Sequence, residues 1–291
     1  MKKILVTGCN GQLGRAINQE YDKNEAEFIN TDVQKGEGVT ALDITNVEEV
    51  LDLICKVRPD VIINCAAHTS VDLCEQEWDK AYKINAVGPR NLSIAAARTD
   101  AKFIHVSTDY VFDGTGTKPY TEFDIPSPAS AYGKTKLEGE KFVKDFAQKY
   151  FILRTAWLYG EGKNFVKTML RLAESHDMVS VVNDQLGSPT SAVELAKMIH
   201  FLEPTENYGL FHATCEGSCS WAEFAEAIFA RTGKQVMVNH VTTEEYMKMN
   251  PQSAKRPAYS VLDNYMLRLT GDYRMQSWET ALDEYIETLQ L

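Results

Sequence analysis

Residues 2–14 read KKILVTGCNGQLG, and this stretch decides the fold of the chain. Its apolar part, residues 3–6, predicts a β-strand, and residues 12–21 predict a helix. Glycines between and just inside these elements permit a tight turn and let backbone N–H groups approach a pyrophosphate. An ordinary glycine turn is the alternative, but the strand before it and the helix after it favour phosphate binding. The glycines are spaced Gly-x-x-Gly-x-x-Gly: Gly8, Gly11 and Gly14.

Strands and helices alternate through the first half of the chain. The run at 60–65 reads DVIINC and is continuously apolar in its centre, as in a strand buried on both faces of a parallel sheet. This alternation predicts an α/β fold with a doubly wound parallel Rossmann sheet, which binds ligands beyond the carboxyl ends of its strands. The other predicted strands are 27–30, 102–107 and 150–154, and the predicted helices are Val47–Val57, 78–98 with a kink at Pro89, and 132–148.

The pattern changes near residue 160, where helical segments mix with short extended ones. We predict a dinucleotide-binding domain in 1–158 and a smaller C-terminal α/β lobe, mainly for substrate binding, in 159–291. Some later segments are expected to return to the main sheet. The helical segments are 164–174, 192–201 and 221–231, and the extended ones are Met178–Val182, 209–213 and 235–240.

Composition excludes several classes of partner. A chain of 291 residues buries a full core without metal or disulfide support. The net charge of -11 argues against nucleic acid and anionic membranes as partners. No apolar run reaches the roughly 18–20 residues of a membrane span, and the amino terminus lacks the pattern of a signal peptide. The cytoplasm is therefore the expected compartment. The six cysteines lack zinc-like spacing, which predicts no metal site, and the rarity of cytosolic disulfides predicts reduced thiols.

Two acidic positions follow the early strands. Asp32 lies 18 residues after Gly14, where a carboxylate can accept hydrogen bonds from the adenosine ribose of a dinucleotide. It would repel a 2′-phosphate, so NADH is slightly preferred over NADPH. A solvated loop acid is the alternative for Asp32. Asp43 and Ile44 could equally contact the adenine or begin a helix.

Tyr132 and Lys136 form a Tyr-x-x-x-Lys pair on one face of a predicted helix. A tyrosine has an ordinary pKa near 10, and a nearby ammonium lowers that pKa. Such a tyrosine exchanges a proton with a carbonyl oxygen as hydride arrives, and the lysine can hold the nicotinamide ribose. The spacing alone also occurs by chance on amphipathic helices.

Thr108 strengthens this interpretation, because it follows a buried strand at the expected ligand edge and can hydrogen-bond the substrate oxygen. Asn85, on the long helical region, could anchor a water or a backbone carbonyl near Lys136. His105 is interpreted as a sheet residue, and His68 as a possible lining residue of the cofactor cleft.

These motifs resemble the extended short-chain dehydrogenases/reductases and, within them, the dTDP-4-dehydrorhamnose reductase family. The resemblance covers essentially the whole chain, and the run TDYVFDG is much more specific than the superfamily motifs. The segments that carry it are VTGCNGQLG at 6–14, NCAAHT at 64–69, STDYVFDG at 107–114, AYGKTK at 131–136, RTAWLYG at 154–160, DQLGSPT at 184–190 and KRP at 255–257.

The resemblance implies reduction of the C4 ketone of a dTDP-4-dehydro-β-L-rhamnose by NADH or NADPH. It implies Thr108, Tyr132 and Lys136 as catalytic residues. It implies that the cofactor is bound by Gly8, Gly11, Gln12, Leu13, Gly14, Asp32, Asp43, Ile44, Ala66, Ala67, His68, Tyr132 and Lys136. It implies that the nucleotide sugar is bound by Thr108, Asp109, Trp157, Gln185 and Arg256, the last two at the diphosphate.

One position departs from the family pattern. Some members form a magnesium-bridged dimer through a glutamate two residues after the last glycine of the first motif, and Ala16 stands there in this chain. A monomer is therefore expected.

Other functions remain open at this point. A reductase of another 4-keto nucleotide sugar would have the same motifs. A sugar-nucleotide dehydratase has Thr-Asp-Glu where this chain has Thr108-Asp109-Tyr110, so its second acid is missing. An epimerase would retain its cofactor through the cycle. A non-catalytic NAD(P)-binding subunit, similar to the regulatory β subunit of methionine adenosyltransferase, would bind a partner chain without turnover.

Overall fold

A central sheet of seven parallel strands organises the computed structural model, which describes residues 1–21 and 24–289. Its order is β11-β6-β5-β4-β1-β2-β3, and every neighbouring pair is parallel. This confirms the predicted doubly wound α/β class. The strands are β1 (Lys2–Thr7), β2 (Ala26–Asp32), β3 (Val39–Ala41), β4 (Val61–Asn64), β5 (Lys102–Thr108), β6 (Tyr150–Thr155), β7 (Leu158–Tyr159), β8 (Met178–Val182), β9 (Leu186–Gly187), β10 (Thr190–Ser191), β11 (Gly209–His212), β12 (Cys219–Ser220) and β13 (Met237–Val241).

Helices cover both faces of this sheet, which explains why its central strands are apolar throughout. Ile17 and Leu195 lie in the core on one face, and Ile54 and Leu92 lie in the core on the other. The helices are α1 (Gln12–Glu20), α2 (Val47–Val57), α3 (Val71–Gln76), α4 (Trp78–Tyr82), α5 (Gly88–Thr99), α6 (Ala131–Phe146), α7 (Phe165–Leu172), α8 (Ala192–Leu202), α9 (Trp221–Thr232), α10 (Thr243–Met249), α11 (Tyr265–Thr270) and α12 (Trp278–Glu287).

The region predicted as one helix over 78–98 contains three elements. Between α4 and α5 lies a π-helical segment, Lys83–Val87, and Pro89 falls in the first turn of α5. Proline is tolerated there because the first N–H groups of a helix have no intrahelical acceptor. The helix is therefore wider over Lys83–Val87, before the proline, and Pro89 begins α5 instead of kinking one long helix. A three-residue 3₁₀ turn, Asp109–Val111, follows β5.

The second half of the chain contributes to two cores. β11 pairs with β6 at the edge of the main sheet, and α8 packs on the same face as α1. Phe224, Trp278 and their neighbours form a separate core from α7, α9 and α12. Both halves of the chain therefore meet above the carboxyl ends of the parallel strands.

Candidate active site

A cavity of about 1020 Å³ opens at the carboxyl ends of β1, β4, β5 and β6. It lies where the strand order reverses direction around β1, the usual ligand position in such sheets. Most of the residues singled out in the sequence line it. They are Gly8, Gly11, Gln12, Leu13, Gly14, Asp32, Asp43, Ile44, Ala66, Ala67, Thr108, Asp109, Tyr132, Lys136 and Trp157.

The glycine turn connects β1 to α1 without space for side chains. Gly8 has φ +65°, and a Cβ on Gly14 would lie 2.5 Å from the carbonyl oxygen of Gly8. The N-cap of α1 is Gly11, so no side chain accepts from the first N–H groups of the helix. These groups, with the positive end of the helix dipole, fit a dinucleotide pyrophosphate.

Acidic and backbone groups border the end of this cavity that lies beside β2 and the start of α2. Asp32 ends β2, and its carboxylate accepts from the N–H groups of Asn10 at 3.3 Å and Gln34 at 3.1 Å. Asp43 accepts from the N–H of Thr45 at 2.9 Å, so it also begins the turn before α2. The cap of α2 is Asn46, so Asp43 does not cap that helix. Asp43 lines the cavity, and its contact with an adenine stays a prediction.

Tyr132 lies in the first turn of α6, beside the end of β5. Ser130 caps this helix by accepting from the N–H of Gly133 at 3.1 Å. Burial raises the pKa of the Tyr132 phenol above its ordinary value, and the adjacent Thr108 hydroxyl opposes that shift. The direction is opposite to the lowering expected from a lysine neighbour. A phenol with a raised pKa is a weaker acid, but at neutral pH it keeps the proton that donation requires.

Lys136 lies one helical turn after Tyr132 and is 2% exposed. Its Nζ donates to the carbonyl oxygen of Val106 in β5 at 2.6 Å. Burial lowers the pKa of Lys136 to about 8, with Glu140 and then Cys65 acting in the opposite direction. The lysine is thus anchored to the same strand that carries Thr108.

Thr108 and Asp109 line the cavity where β5 ends and the 3₁₀ turn begins. The Thr108 hydroxyl donates to Asp109 Oδ1 at 2.9 Å and accepts from the N–H of Tyr110 at 3.2 Å. Asp109 is almost fully buried, and that burial raises its carboxyl pKa to about 6, against the hydroxyls of Ser260 and Thr108.

The other polar residues singled out near the strand ends have structural partners. Asn85, in the π-helical segment, accepts from the N–H of His68 at 2.8 Å and donates to its carbonyl oxygen at 3.1 Å. The His68 ring lies 3.3 Å from Glu77, and His68 is not among the cavity-lining residues. His105 is fully buried in β5 and bonds Asn64 at 2.9 Å.

Gln185 and Arg256 also lie outside the cavity lining. Gln185 is buried and donates to the Thr243 hydroxyl at 3.0 Å. Arg256 pairs with Asp72 at 3.2 Å. The structure therefore does not bring these two side chains together with the catalytic candidates.

Trp221 is a cavity residue that the sequence motifs did not indicate. Its ring stacks on Trp157 with centroids 3.6 Å apart and an interplanar angle of 7°. Trp157 has φ +49°, and Gly187 gives its ring space, because a Cβ there would lie 2.4 Å from Trp157 Cε2. Ser220 and Glu223 form a capping box at the start of α9, a readable helix signal that does not reveal the contact with Trp157.

Across residues 1–21 and 24–289, no group of three or more His, Cys, Asp or Glu side chains could hold a metal ion. In the same described part, no helix has both the length and the apolar character to cross a bilayer.

Comparison with known proteins agrees with this geometry. The family model described as "RmlD substrate binding domain" matches residues 1–291. A dTDP-4-dehydrorhamnose reductase from Aggregatibacter actinomycetemcomitans is 42% identical and covers 97% of each chain.

Solved structures extend the comparison to the fold. A dTDP-4-dehydrorhamnose reductase from Clostridium acetobutylicum is 54% identical, with a TM-score of 0.94 over 99% of this chain and 100% of that one. The reductase from Bacillus anthracis, solved in complex with NADP, is 43% identical, with a TM-score of 0.92 and complete coverage of both chains. The chain belongs to the RmlD family of dTDP-4-dehydrorhamnose reductases.

Proposed function

We propose that this protein reduces the C4 ketone of dTDP-4-dehydro-β-L-rhamnose to dTDP-L-rhamnose with NADH or NADPH. The observation that carries this proposal is one cavity lined by Thr108, Tyr132 and Lys136 together with the glycine turn. Two relatives that match this chain over almost their full length are named dTDP-4-dehydrorhamnose reductase, and these names support the proposed substrate. The NADP in the Bacillus anthracis structure supports the cofactor class.

In this proposal the chain supplies the proton and the orientation of the reactants. A bound nicotinamide supplies the hydride for C4. Tyr132 donates its phenolic proton to the ketone oxygen, and the Thr108 hydroxyl hydrogen-bonds the same oxygen. Lys136, as an ammonium, holds the nicotinamide ribose and stabilises the phenolate that proton donation leaves behind.

The roles of most binding residues follow their positions in the cavity, whereas those of His68, Gln185 and Arg256 follow the family resemblance. Gly8, Gly11 to Gly14 and the start of α1 bind the pyrophosphate, while Asp32, Asp43 and Ile44 bind the adenosine end. Ala66, Ala67 and the His68 region complete the cofactor site. Asp109 and Trp157 bind the sugar. Gln185 and Arg256 are assigned to the diphosphate on the family resemblance, and Arg256 would first leave Asp72.

We also propose a division into two parts, an oligomeric state and a cellular location for this protein. Residues 1–158 form the dinucleotide-binding part and 159–291 mainly the substrate lobe, with β11 and α8 packed on the main sheet. A monomer is proposed, since Ala16 provides no carboxylate for a metal-bridged dimer. The net charge of -11 disfavours nucleic acid and anionic membrane partners, in line with a cytoplasmic enzyme.

The test is the loss of NADH or NADPH absorbance with dTDP-4-dehydrorhamnose generated in situ. Substrate-dependent oxidation supports the proposal. If a folded protein binds NADH but oxidises neither cofactor, the substrate assignment fails. Another 4-keto nucleotide sugar, or a non-catalytic binding subunit, would then replace it.

Asp32 provides a prediction about cofactor choice. We expect Asp32→Ser to lower the ratio of kcat/KM with NADH to that with NADPH by about fivefold or more, because a like-charge contact in water costs ~1 kcal/mol. The measurement is steady-state kinetics with each cofactor. Glu27→Gln, an exposed acid at the other end of β2, is the matched control and should leave the ratio unchanged. An unchanged ratio in Asp32→Ser would contradict a ribose contact.

A further inference from the structure

A buried ion pair lies directly behind the catalytic helix. Arg154 Nε and Nη2 donate to the two carboxylate oxygens of Glu140 at 2.9 and 2.7 Å. Glu140 is fully buried, and Arg154 is 1% exposed. Removing two charges from water is costly, and a hydrophobic pair of similar size is often no less stable. Fold stability alone therefore does not account for charges at this place.

The pair connects β6 to the two elements that carry the catalytic candidates, α6 and β5. Glu140 lies on α6, one turn after Lys136, and Arg154 lies on β6, three residues before Trp157. Glu140 Oε1 also accepts from the Ser107 hydroxyl at 2.6 Å, and Ser107 directly precedes Thr108 on β5. One carboxylate thus joins the ends of β5 and β6 to the helix that presents Tyr132.

Glu140 also lies one helical turn after Lys136 on α6, a spacing at which helical side chains interact. Lys136 is bonded to Val106, and Glu140 is the main group that raises its pKa against the effect of burial. Cys65 and His105 are electrostatically coupled to this lysine. The elements packed against α6 carry further ionisable groups, which include Arg154 in β6, Asp72, Cys74 and Glu75 in α3, Asp79, Lys80 and Tyr82 in α4, Lys83 in the π-helical segment, Arg90 in α5, and Asp109 and Tyr110 in the 3₁₀ turn.

We propose that Glu140 is a positioning residue for the reaction. Its ion pair with Arg154 fixes α6 against the ends of β5 and β6, and its negative charge keeps Lys136 in the ammonium form. The inference rests on the proposed function, in which that ammonium holds the nicotinamide ribose. Glu140 itself touches neither substrate nor cofactor.

The first test is the pH dependence of reduction in Glu140→Gln. Reduction uses the protonated lysine, so activity falls as pH rises through the Lys136 pKa. Without the carboxylate that pKa falls, and the alkaline limb of the kcat/KM profile should move by about one pH unit or more to lower pH. At pH values above the Lys136 pKa of both proteins, the kcat/KM of Glu140→Gln should be about tenfold below that of the wild type. Glu140→Asp retains the charge and should restore the limb toward its wild-type position.

A matched control lies on the same helix. Glu138 is partly exposed and pairs with Lys141 at 2.7 Å. Glu138→Gln removes an equal charge from α6, but its partner is another surface residue, so its alkaline limb should remain at the wild-type pH. Equal shifts in Glu138→Gln and Glu140→Gln would overturn the proposal.

Two further measurements distinguish a loss of folding or of turnover from a failure of the inference. Glu140→Gln leaves Arg154 buried without its partner, so Glu140→Gln with Arg154→Gln removes both charges together. The limb of this double variant should move in the same direction but by less, because losing the positive charge of Arg154 partly offsets losing the negative charge of Glu140. The Lys136 Nζ titration can be followed directly by NMR of ¹⁵N-lysine-labelled protein, with Lys136→Met to assign the signal.

The two readouts distinguish the possible failures. A lower titration midpoint in the variants supports the role of Glu140, even if the wild type does not reduce the proposed sugar and the proposed function fails. An unchanged Lys136 midpoint in both the single and the double variant overturns the inference, whatever the activity.

Discussion

Replacing Tyr132 with phenylalanine is expected to lower kcat by about 10²- to 10⁴-fold, the usual contribution of a positioned general acid. The substitution removes one hydroxyl and keeps the ring, whose centroid lies 5.4 Å from that of Tyr110 in an edge-on contact. NADH affinity should therefore change little. A loss confined to kcat identifies the missing group as the proton donor.

The pKa of Tyr132 determines which direction of the reaction this donor favours. Burial raises that pKa, so the phenol remains protonated across the neutral range. Reduction needs a proton donor, whereas oxidation of the alcohol needs the phenolate. We therefore expect the falling alkaline limb of reduction to report Lys136, whose pKa is about 8, and not Tyr132.

The measurement combines single-turnover NADH oxidation with NADH binding followed by fluorescence. Tyr110→Phe is the comparison, because Tyr110 also lines the cavity and loses the same hydroxyl. Its loss in kcat should be below about tenfold. If Tyr132→Phe turns over like the wild type, or if its activity falls only in step with NADH binding, Tyr132 is not the acid.

The fold could be predicted because its signals are local. The apolar runs that became β1, β4 and β5 are each buried on both faces, and the intervening helices have their own periodicity. The predicted bounds differ from the observed ones by a few residues. The π-helical segment before Pro89 had no local signal, and it packs against α6, which follows more than 40 residues later in the chain.

The candidate site could be predicted only where its residues belong to short motifs. Tyr132 and Lys136 are four residues apart, whereas Trp157 and Trp221 meet across 64 positions of the chain. The Glu140–Arg154 pair depends on the register of β6 beside β5, which no spacing in the sequence reveals. Local patterns also suggested His68 as a lining residue of the cofactor cleft, but they gave no sign that its ring lies beside Glu77.

Gly14→Ala is the second substitution with a large expected effect, this time on cofactor binding. An added Cβ would lie 2.5 Å from both the Gly8 carbonyl oxygen and the Cys9 Cα. Both atoms belong to the backbone of the turn, so no side chain can move aside. The turn and the start of α1 must separate, which displaces the N–H groups that would bind the pyrophosphate.

We expect the Kd for NADH to rise about 10- to 100-fold, since overpacking costs ~1–3 kcal/mol and each ~1.4 kcal/mol is tenfold in affinity. Calorimetric binding of NADH and the Tm should be measured together. Gly36→Ala is the matched control, because its new Cβ would lie an ordinary 3.6 Å from Val39. Wild-type NADH affinity in Gly14→Ala would show that the pyrophosphate is bound elsewhere. A lower Tm with unchanged affinity would limit the role of this glycine to packing α1 against the turn.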